Sequence, residues 1–322
     1  MILVIGEALI DLIGDSATPG EYKSVVGGAN ANVALALARR GTAQKFMGRI
    51  SSDGFGEQIR HRLVSNEVDL SWSIAAKEQT TLAVATIDAQ GVASYSFYIN
   101  GTADWGWTSA ELPSLEMLLD AGIQAVQFGC LAMAIGPGNK VLETWLEQLG
   151  ASKELTLSHD LNIRSALGFE REVELDRVQR VNGFSNIVKA SDADIEWLFD
   201  LAPGASLDAI AEDWAGEDKL VVITRGGEGA DMYFAGEKLS VPAPKINPVD
   251  TVGAGDTFMA NLLTELLLLD GLGSDPESRL GRLGQKDLLR ALDVAAKAAA
   301  LVCERQGCEP PNAKEVAAAT RD

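Results

Sequence analysis

Short runs of apolar residues alternate with amphipathic segments along most of the chain. Runs with the length and flanking residues of buried strands occur at 2–6, 45–48, 125–129, 155–157, 187–188 and 220–224. Segments with helical spacing of apolar residues occur at 31–40, 53–65, 139–149, 192–199, 255–269 and 285–304. Strands that alternate with helices predict βαβ units, and therefore an α/β fold in which helices cover both faces of a mainly parallel sheet.

One region breaks this alternation. Residues 80–88 and 92–99 are rich in Thr, Val, Tyr and Ile and lack helical spacing, and a short turn at 89–91 joins them. This pattern predicts a β-hairpin. Because such a hairpin does not easily join a parallel sheet, we expect it to project as a small second layer, with residues 22–26 as a candidate partner strand. A projecting sheet beside a ligand cleft is typical of a lid, although a decorative subdomain or a dimer interface would show the same pattern.

The domain organisation is predicted to be simple. The sequence has no repeat of solenoid period and no linker that would divide it. We therefore expect residues 1–322 to form a single domain, with a lid inserted from about 12–26 and 72–100. The Ala- and charge-rich segment 312–322 predicts a final surface helix.

The composition is that of a globular protein, with 47% hydrophobic and 23% charged residues. The net charge of −19 predicts a surface that repels phosphate backbones and anionic lipids, so we expect no nucleic-acid partner and no membrane partner. A nucleotide phosphate can bind such a chain only where backbone amides, a few basic residues or a bridging cation overcome the global field.

The cysteines predict the compartment. Cys130, Cys303 and Cys308 form an odd and sparse set, which is typical neither of a disulfide framework nor of a zinc site. No segment reaches transmembrane length, and no basic segment precedes the first apolar run. We therefore expect a cytoplasmic protein with three free thiols.

The strongest chemical signal is the segment 250–258, which reads Asp-Thr-Val-Gly-Ala-Gly-Asp-Thr-Phe. Gly253, Ala254 and Gly255 precede a long apolar helix, and their unobstructed amides at a helix N-terminus would bind a phosphate or a developing oxyanion. Asp256, in the first helical turn, places a carboxylate beside that anion site and is able to accept a hydroxyl proton. Phosphoryl transfer to an alcohol requires this combination. A capped helix after a tight turn is the alternative interpretation.

Other phosphate-binding signatures are absent from the sequence. There is no Gly-x-x-x-x-Gly-Lys-Ser/Thr loop and no His-Arg-Asp set of a protein kinase. The Gly-Ala-Gly segment also lacks the third glycine of a dinucleotide-binding fingerprint.

Four segments in order resemble the signatures of the ribokinase-like (PfkB) carbohydrate kinases. Residues 250–258 resemble the C-terminal signature, and residues 27–32 with the following helix and 48–56 resemble the N-terminal one. Residues 224–229 match Thr-x-Gly-x-x-Gly, and residues 160–164 match Asp-x-Asn-x-Arg. These landmarks extend from residue 2 to about 311. The resemblance implies a ribokinase-like three-layer α/β/α fold with a mainly parallel sheet and a small β-sheet lid.

The resemblance also implies roles for individual residues. It makes Asp256 the catalytic base and the Gly253, Ala254 and Gly255 amides the anion hole. The implied nucleotide-binding residues are Thr224, Gly226 and Gly229. The implied sugar-binding residues are Asp11, Gly27, Gly28, Asn32 and Arg164.

The chemistry of Asp11 and Asn32 agrees with the implied sugar site. A carboxylate at Asp11, after a strand, and an amide at Asn32, at a helix start, suit the donor and acceptor pairs of vicinal hydroxyls. Simple helix capping would equally account for Asn32. Arg164 is one of few basic groups that would neutralise phosphate, and a surface ion pair is its alternative role.

The cations are implied with one departure from the family pattern. The family usually has Asn-x-x-Glu where this chain has Ser191-Asp192-Ala193-Asp194, so Asp194 stands at the glutamate position with one methylene less. The resemblance implies Mg²⁺ bridging the ATP phosphates, with Asp194 acting on it through water. It leaves open a monovalent cation (K⁺) near the loop at Asp250.

The substrate is implied by two further segments. Residues 6–11 and 101–107 are most similar to those of bacterial fructokinases, which implies ATP-dependent phosphorylation of fructose at its 6-hydroxyl. Phe97 and Tyr98 of the lid would close over the sugar, although aromatic residues at strand spacing also serve packing. Phosphorylation of 2-keto-3-deoxygluconate or of ribose are the alternatives within the class. A glycosidase without ATP and a catalytically silent sugar sensor are the alternatives outside it, and a homodimer through the lid sheet is a further expectation.

Overall fold

The computed structural model describes residues 1–15, 18, 20–87 and 93–321. Its strands are β1 (Ile2–Ile5), β2 (Leu9–Asp15), β3 (Tyr22–Gly27), β4 (Gln44–Met47), β5 (Arg49–Ser51), β6 (Ile74–Ala76), β7 (Leu82–Ile87), β8 (Ala93–Tyr98), β9 (Ala125–Gly129), β10 (Thr156–Asp160), β11 (Ile187–Ser191), β12 (Leu220–Thr224), β13 (Ala230–Phe234) and β14 (Glu237–Val241). Its α-helices are α1 (Ala29–Arg39), α2 (Gly54–Val64), α3 (Leu115–Asp120), α4 (Cys130–Ala134), α5 (Gly138–Ser152), α6 (Arg171–Phe184), α7 (Asp192–Leu198), α8 (Asp208–Ala215), α9 (Ala254–Leu268), α10 (Pro276–Gly281), α11 (Gln285–Cys303) and α12 (Ala313–Ala319).

The central sheet has eight strands in the order β14-β13-β12-β11-β10-β9-β1-β4. Six neighbouring strands of this sheet are parallel, namely β4, β1, β9, β10, β11 and β12. β13 and β14 form an antiparallel hairpin at one edge. Each predicted apolar run lies in one of the parallel strands. Parallel strands need both faces covered, which explains why these runs are continuously apolar rather than alternating.

Helices cover both faces of this sheet, as β1 shows. Ile2 and Val4 pack with residues of α1, α9 and α11 on one face. Leu3 and Ile5 point to the other face and pack against α5 and its neighbours. All four side chains are fully buried, and each such burial stabilises the fold by roughly 1.5–3 kcal/mol. The three-layer α/β/α prediction is confirmed.

A smaller sheet has the strand order β3-β2-β7-β8. β7 and β8 pair antiparallel, as predicted, whereas the predicted turn at 89–91 lies outside the described residues. The predicted partner strand exists as β3, but it pairs with β2 rather than with the hairpin. β2 pairs in parallel with β7 and so lies between them. Asp11 follows β1, as predicted, and it also lies within β2 of the small sheet, which the sequence pattern did not predict.

The functional edge of the molecule is set by strand direction. The carboxyl ends of parallel strands meet at one edge of a sheet, and ligands of open α/β folds bind in the crevice outside that edge. Gly129, Asp160, Ser191 and Thr224 end β9 to β12 there. The smaller sheet begins a few residues beyond the end of β1, so it projects from the same edge.

Candidate active site

The segment around Gly253 forms a left-handed turn into α9. Gly253 has φ +79°, and a Cβ at this position would lie 2.3 Å from Cys308 Sγ, so only glycine fits without rearrangement. The Ala254 amide already donates to Thr251 O at 3.2 Å. Among the residues that the structure describes, the amides of Gly253, Gly255 and Asp256 have no acceptor. The open donors of the predicted anion hole are therefore Gly253, Gly255 and Asp256, at the positive end of a 15-residue helix.

Asp256 lies in the first turn of α9 with its side chain nearly buried. Its Oδ2 accepts a hydrogen bond of 2.8 Å from Asn32 Nδ2. Burial raises the pKa of Asp256 to about 7; the Asn32 bond and the charges of Arg164 and Lys189 lower it, while Asp160 adds to the rise. A carboxyl group that titrates near neutral pH is well matched to accept a proton from an alcohol during the reaction.

Asn32 reaches Asp256 because of how α1 begins. Gly28 at the N-cap has φ +103°, and a Cβ there would lie 2.6 Å from Glu7 O. The fully buried Glu7 carboxylate accepts from Ala29 N and from Asn30 Nδ2, both at 2.9 Å. Glu7 thus fixes the first turn of α1. Glu7 lies in the 6–11 segment, whose resemblance to fructokinases implied no role for it.

Asp11 and Gly27 lie on the same face of adjacent strands of the smaller sheet, diagonal to each other in the register. A Cβ on Gly27 would lie 2.2 Å from Asp11 Oδ2, so the glycine leaves room for that carboxylate. Burial raises the pKa of Asp11 to about 6, and the charge of Arg164 opposes this shift. The same guanidinium lowers the pKa of Asp256. The charge of Arg164 therefore acts on both carboxylates, Asp11 on the smaller sheet and Asp256 at the start of α9.

Arg164 lies in the loop that follows β10, and its side chain is exposed. Its Nη1 donates to Asn162 Oδ1 at 2.5 Å. Within the described residues it takes part in no ion pair of 4.0 Å or less, so its guanidinium remains available to an anionic ligand.

The residues with implied nucleotide roles form a separate group at the end of β12, the strand next to β11. Thr224 ends β12 opposite Ser191 of β11. Gly229 has φ +112°, and a Cβ there would lie 2.0 Å from Val241 O, so the turn after β12 requires glycine at this position. Gly226 has φ +46° and open space around it. No hydrogen bond within the described chain joins these residues to Asp256.

Asp194 is engaged by backbone amides. Its Oδ2 accepts from Ser191 N and its Oδ1 from Ile163 N, both at 2.8 Å, while Ser191 Oγ accepts from Asp194 N. The Ser191 and Asp194 side chains therefore form a capping box at the start of α7. Each carboxylate oxygen retains one lone pair for a further donor such as water.

A buried ion pair that the sequence analysis did not identify lies beside these groups. Lys189 Nζ on β11 donates to both carboxylate oxygens of Asp160 on β10, at 2.8 and 2.9 Å. The two side chains are 4% and 6% exposed. A Cβ on Gly255 would lie 3.4 Å from Lys189 Nζ. The signal available in the sequence was a lysine inside an apolar strand.

The described residues also bear on metal binding and on membrane insertion. In that part of the chain, no three His, Cys, Asp or Glu side chains gather into a metal-ligand cluster, and no helix is long and apolar enough to cross a membrane. Cys130, Cys303 and Cys308 are free thiols.

The chain is similar to known sugar kinases. A family model described as pfkB family carbohydrate kinase matches residues 1–315. A fructokinase of Rhizobium leguminosarum bv. trifolii is 38% identical over 269 residues, which cover 83% of this chain and 79% of that protein.

Solved structures agree with this match. A fructokinase from Xylella fastidiosa with bound ATP superposes with a TM-score of 0.85 at 24% identity, covers 99% and 97% of the two chains, and supports the fold alone. A fructokinase from Vibrio cholerae O395 in a fructose-, ADP- and calcium-bound form superposes with a TM-score of 0.81 at 26% identity and covers 99% and 98%. The resemblance drawn from four sequence segments is thereby confirmed, and the chain belongs to the pfkB family of carbohydrate kinases.

Proposed function

We propose that this enzyme is an ATP-dependent fructokinase that converts fructose to fructose 6-phosphate. One observation carries the proposal: the nearly buried Asp256 carboxylate, held by Asn32, stands at the open amides of the α9 N-terminus. The fructokinase names of its relatives from Rhizobium and Vibrio support fructose as the sugar.

The sugar binds in the cleft between the smaller sheet and α9. Asp11 accepts hydrogen bonds from hydroxyls, as an ionised carboxylate does, and Asn32 offers its carboxamide oxygen because its Nδ2 is engaged by Asp256. Gly27 and Gly28 let the substrate approach the backbone at the start of α1. Arg164 offers guanidinium donors on the open side of the cleft.

The reaction needs one proton acceptor and one anion site. Asp256 takes the proton of the 6-hydroxyl as that oxygen bonds to the γ-phosphorus and the bond to the ADP oxygen breaks. The amides of Gly253, Gly255 and Asp256 hold the charge on the transferring group. Thr224, Gly226 and Gly229 line the remaining phosphates of ATP at the end of β12. Closure of the smaller sheet excludes water and limits hydrolysis of ATP.

The residues present fit a magnesium ion that is held mainly by the nucleotide. Mg²⁺ commonly binds one or two carboxylates together with substrate phosphates and keeps several waters. Asp194 offers one lone pair on each carboxylate oxygen and would hold such waters. When bound, Mg²⁺ would neutralise negative charge on the phosphates. A monovalent cation, K⁺, near Asp250 is a further part of the proposal.

The assembly and the compartment are further parts of the proposal. Ile13 lies on the same face of the smaller sheet as Asp11 and is 38% exposed, and Tyr22 and Tyr98 of that sheet are 51% and 61% exposed. Contact between two such sheets through the Ile13 face would cover Ile13 in a homodimer, whereas Tyr22 and Tyr98 lie on the opposite face by strand register. Light scattering at micromolar concentration tests this, and a monomer mass would contradict it. Three free thiols suit the reducing cytoplasm.

A coupled ADP-release assay over fructose, ribose, 2-keto-3-deoxygluconate and a nucleoside, with and without Mg²⁺, tests the function. We expect the highest kcat/KM with fructose and turnover only when Mg²⁺ is present. If only the sugar acid, only ribose or only the nucleoside is turned over, that compound rather than fructose is the substrate. Cleavage of the nucleoside without ATP would identify a glycosidase.

The variant Asp256→Asn tests the role of the carboxylate. It keeps the size of the side chain and removes the proton acceptor, so we expect kcat to fall by at least about 100-fold with sugar binding retained. Near-normal ADP production by this variant would contradict the assignment. Sugar binding without turnover in the wild type as well would identify a sensor.

A further inference from the structure

Lys189 lies at a buried position of β11, where the neighbouring residues are apolar. Along β11, Val188 and Ala190 pack into the layer of α7 and α8. Ile187 points to the opposite face and packs with α9 and α11. Successive strand residues alternate between faces, so Lys189 shares the face of Ile187 and points toward α9. Burial of a charged lysine costs free energy unless an opposite charge and hydrogen bonds compensate it.

The ammonium group of Lys189 has one donor left over. An ammonium carries three N–H donors, and two suffice for the bonds to Asp160 Oδ1 and Oδ2. The nitrogen lies 3.4 Å from where a Cβ of Gly255 would stand, directly beside the first turn of α9. Although burial alone would lower the pKa of Lys189, the Asp160 carboxylate raises it above its ordinary value, so the group remains charged.

The surroundings favour an additional anion at this point. A cation beside a helix N-terminus is electrostatically unfavourable, because both present positive charge to the same region. Asp160 offsets the ammonium, yet the helix terminus with its open Gly253, Gly255 and Asp256 amides has no anion of its own besides the Asp256 side chain. An oxygen that accepts from the Gly255 amide would also come within reach of Lys189 Nζ.

We propose that Lys189 is a catalytic residue that donates a hydrogen bond to an oxygen of the transferring phosphoryl group. The inference rests on the proposed sugar-kinase function and names a further residue of that site. Lys189 stays an ammonium throughout: the hydroxyl proton goes to Asp256, the new P–O bond forms to the sugar, and the electron pair of the broken bond leaves with ADP. Asp160 positions the ammonium, and Gly255 leaves space for it.

Four variants separate this role from a merely structural one. Lys189→Met removes the charge but leaves Asp160 unpaired, so the double variant Asp160→Asn/Lys189→Met removes the pair as a unit. Asp160→Asn alone keeps the ammonium. Lys219→Met is the matched control, because Lys219 donates to Asn182 O and Gly183 O at the opposite end of the sheet. Thermal melts establish folding, and ADP release with the best sugar gives kcat, KM and the pH profile.

We expect the double variant to fold and to lose about 100-fold or more in kcat, as the loss of an oxyanion donor does, with sugar and ATP KM values within about threefold. Asp160→Asn should lose less than about tenfold, and Lys219→Met should match the wild type. In Lys189→Met the acidic limb of the pH profile should move to higher pH, since Lys189 lowers the pKa of Asp256 alongside Asn32 and Arg164. In Asp160→Asn it should move to lower pH, since Asp160 raises that pKa.

Two results would overturn the proposal. One is a folded double variant with more than about a tenth of the wild-type kcat, which would make the pair purely structural. The other is an Asp160→Asn variant as inactive as the double variant, which would assign the effect to the carboxylate. If the wild type itself turns over no sugar with ATP, the proposed function fails instead, so the two failures are distinguishable.

Discussion

The buried Asp104 offers a quantitative test of the electrostatics at the base of the smaller sheet. Its side chain is 1% exposed, and its Oδ1 and Oδ2 accept from Ala8 N at 2.9 Å and Thr81 Oγ1 at 2.5 Å. Ala8 directly precedes β2 and Thr81 directly precedes β7, so one carboxyl group ties both inner strands to the main domain. The substitution Asp104→Asn keeps the shape of the side chain and removes its titratable carboxyl group.

The expected magnitude follows from the pKa of Asp104. Burial, reinforced by the nearby Glu7, raises this pKa from 3.8 to about 7, against the two hydrogen bonds that lower it. Between these values the folded protein holds a proton that the unfolded chain has lost. The free energy of unfolding therefore falls by about 1.4 kcal/mol per pH unit and levels off above pH 7. From pH 5.5 to pH 8 the Asp104 carboxyl group lowers the free energy of unfolding of the wild type by about 2 kcal/mol. The asparagine variant does not undergo this decrease.

Denaturant unfolding of wild type and Asp104→Asn at pH 5.5 and pH 8 measures this difference. We expect the difference in free energy of unfolding, variant minus wild type, to be about 2 kcal/mol larger at pH 8 than at pH 5.5. Asp53→Asn is the matched control, because Asp53 bonds the neighbouring Thr80 and has a pKa lowered to about 2, below the tested range. Its effect on stability should be equal at both pH values. An Asp104→Asn effect that is also equal at both values would refute the reasoning.

Two further predictions concern the active site. In Asn32→Ala, loss of the hydrogen bond that lowers the pKa of Asp256 should move the acidic limb of kcat/KM from about pH 7 to higher pH; an unchanged pH profile would show that the bond does not act on the base. In Gly253→Ala, the left-handed backbone and a Cβ 2.3 Å from Cys308 Sγ should lower the free energy of unfolding by about 2 kcal/mol in denaturant melts. Gly183→Ala in α6, where a Cβ meets nothing within 4 Å, should show no loss, and an equal loss in both would contradict the steric explanation.

The sequence pattern predicted elements well where burial coincided with apolar residues and less well where buried residues are polar. β10 extends to Asp160, three residues beyond the predicted run, because Ser158 and His159 are buried despite their polarity. α6 was not predicted, since its buried side includes Glu174 and Arg177, joined at 2.5 Å. Such pairs satisfy each other only after folding, so apolar periodicity does not reveal them.

The site was predicted as a set of residues but not as a set of contacts. The residues of the 250–258 segment lie at the helix terminus where the pattern put them. The bond between Asn32 and Asp256 joins positions 224 apart, and nothing local in either segment requires it. Asn32 was therefore interpreted as a sugar-binding amide or a helix cap, and the bond from its nitrogen to Asp256 was missed. Lys189 was missed for a related reason, because its partners Asp160 and Gly255 come from two other segments.

The departure from Asn-x-x-Glu at Ser191 and Asp194 has a local explanation. With its shorter side chain, Asp194 reaches the amides of Ser191 and Ile163 at once, and so ties the start of α7 to the loop that carries Arg164. A longer glutamate would carry its carboxylate beyond one of these amides unless the loop moved. The aspartate therefore fixes the loop and leaves only its remaining lone pairs for water near the phosphates. In a chain of net charge −19, this contact fixes the loop that carries one of the basic groups acting on Asp256.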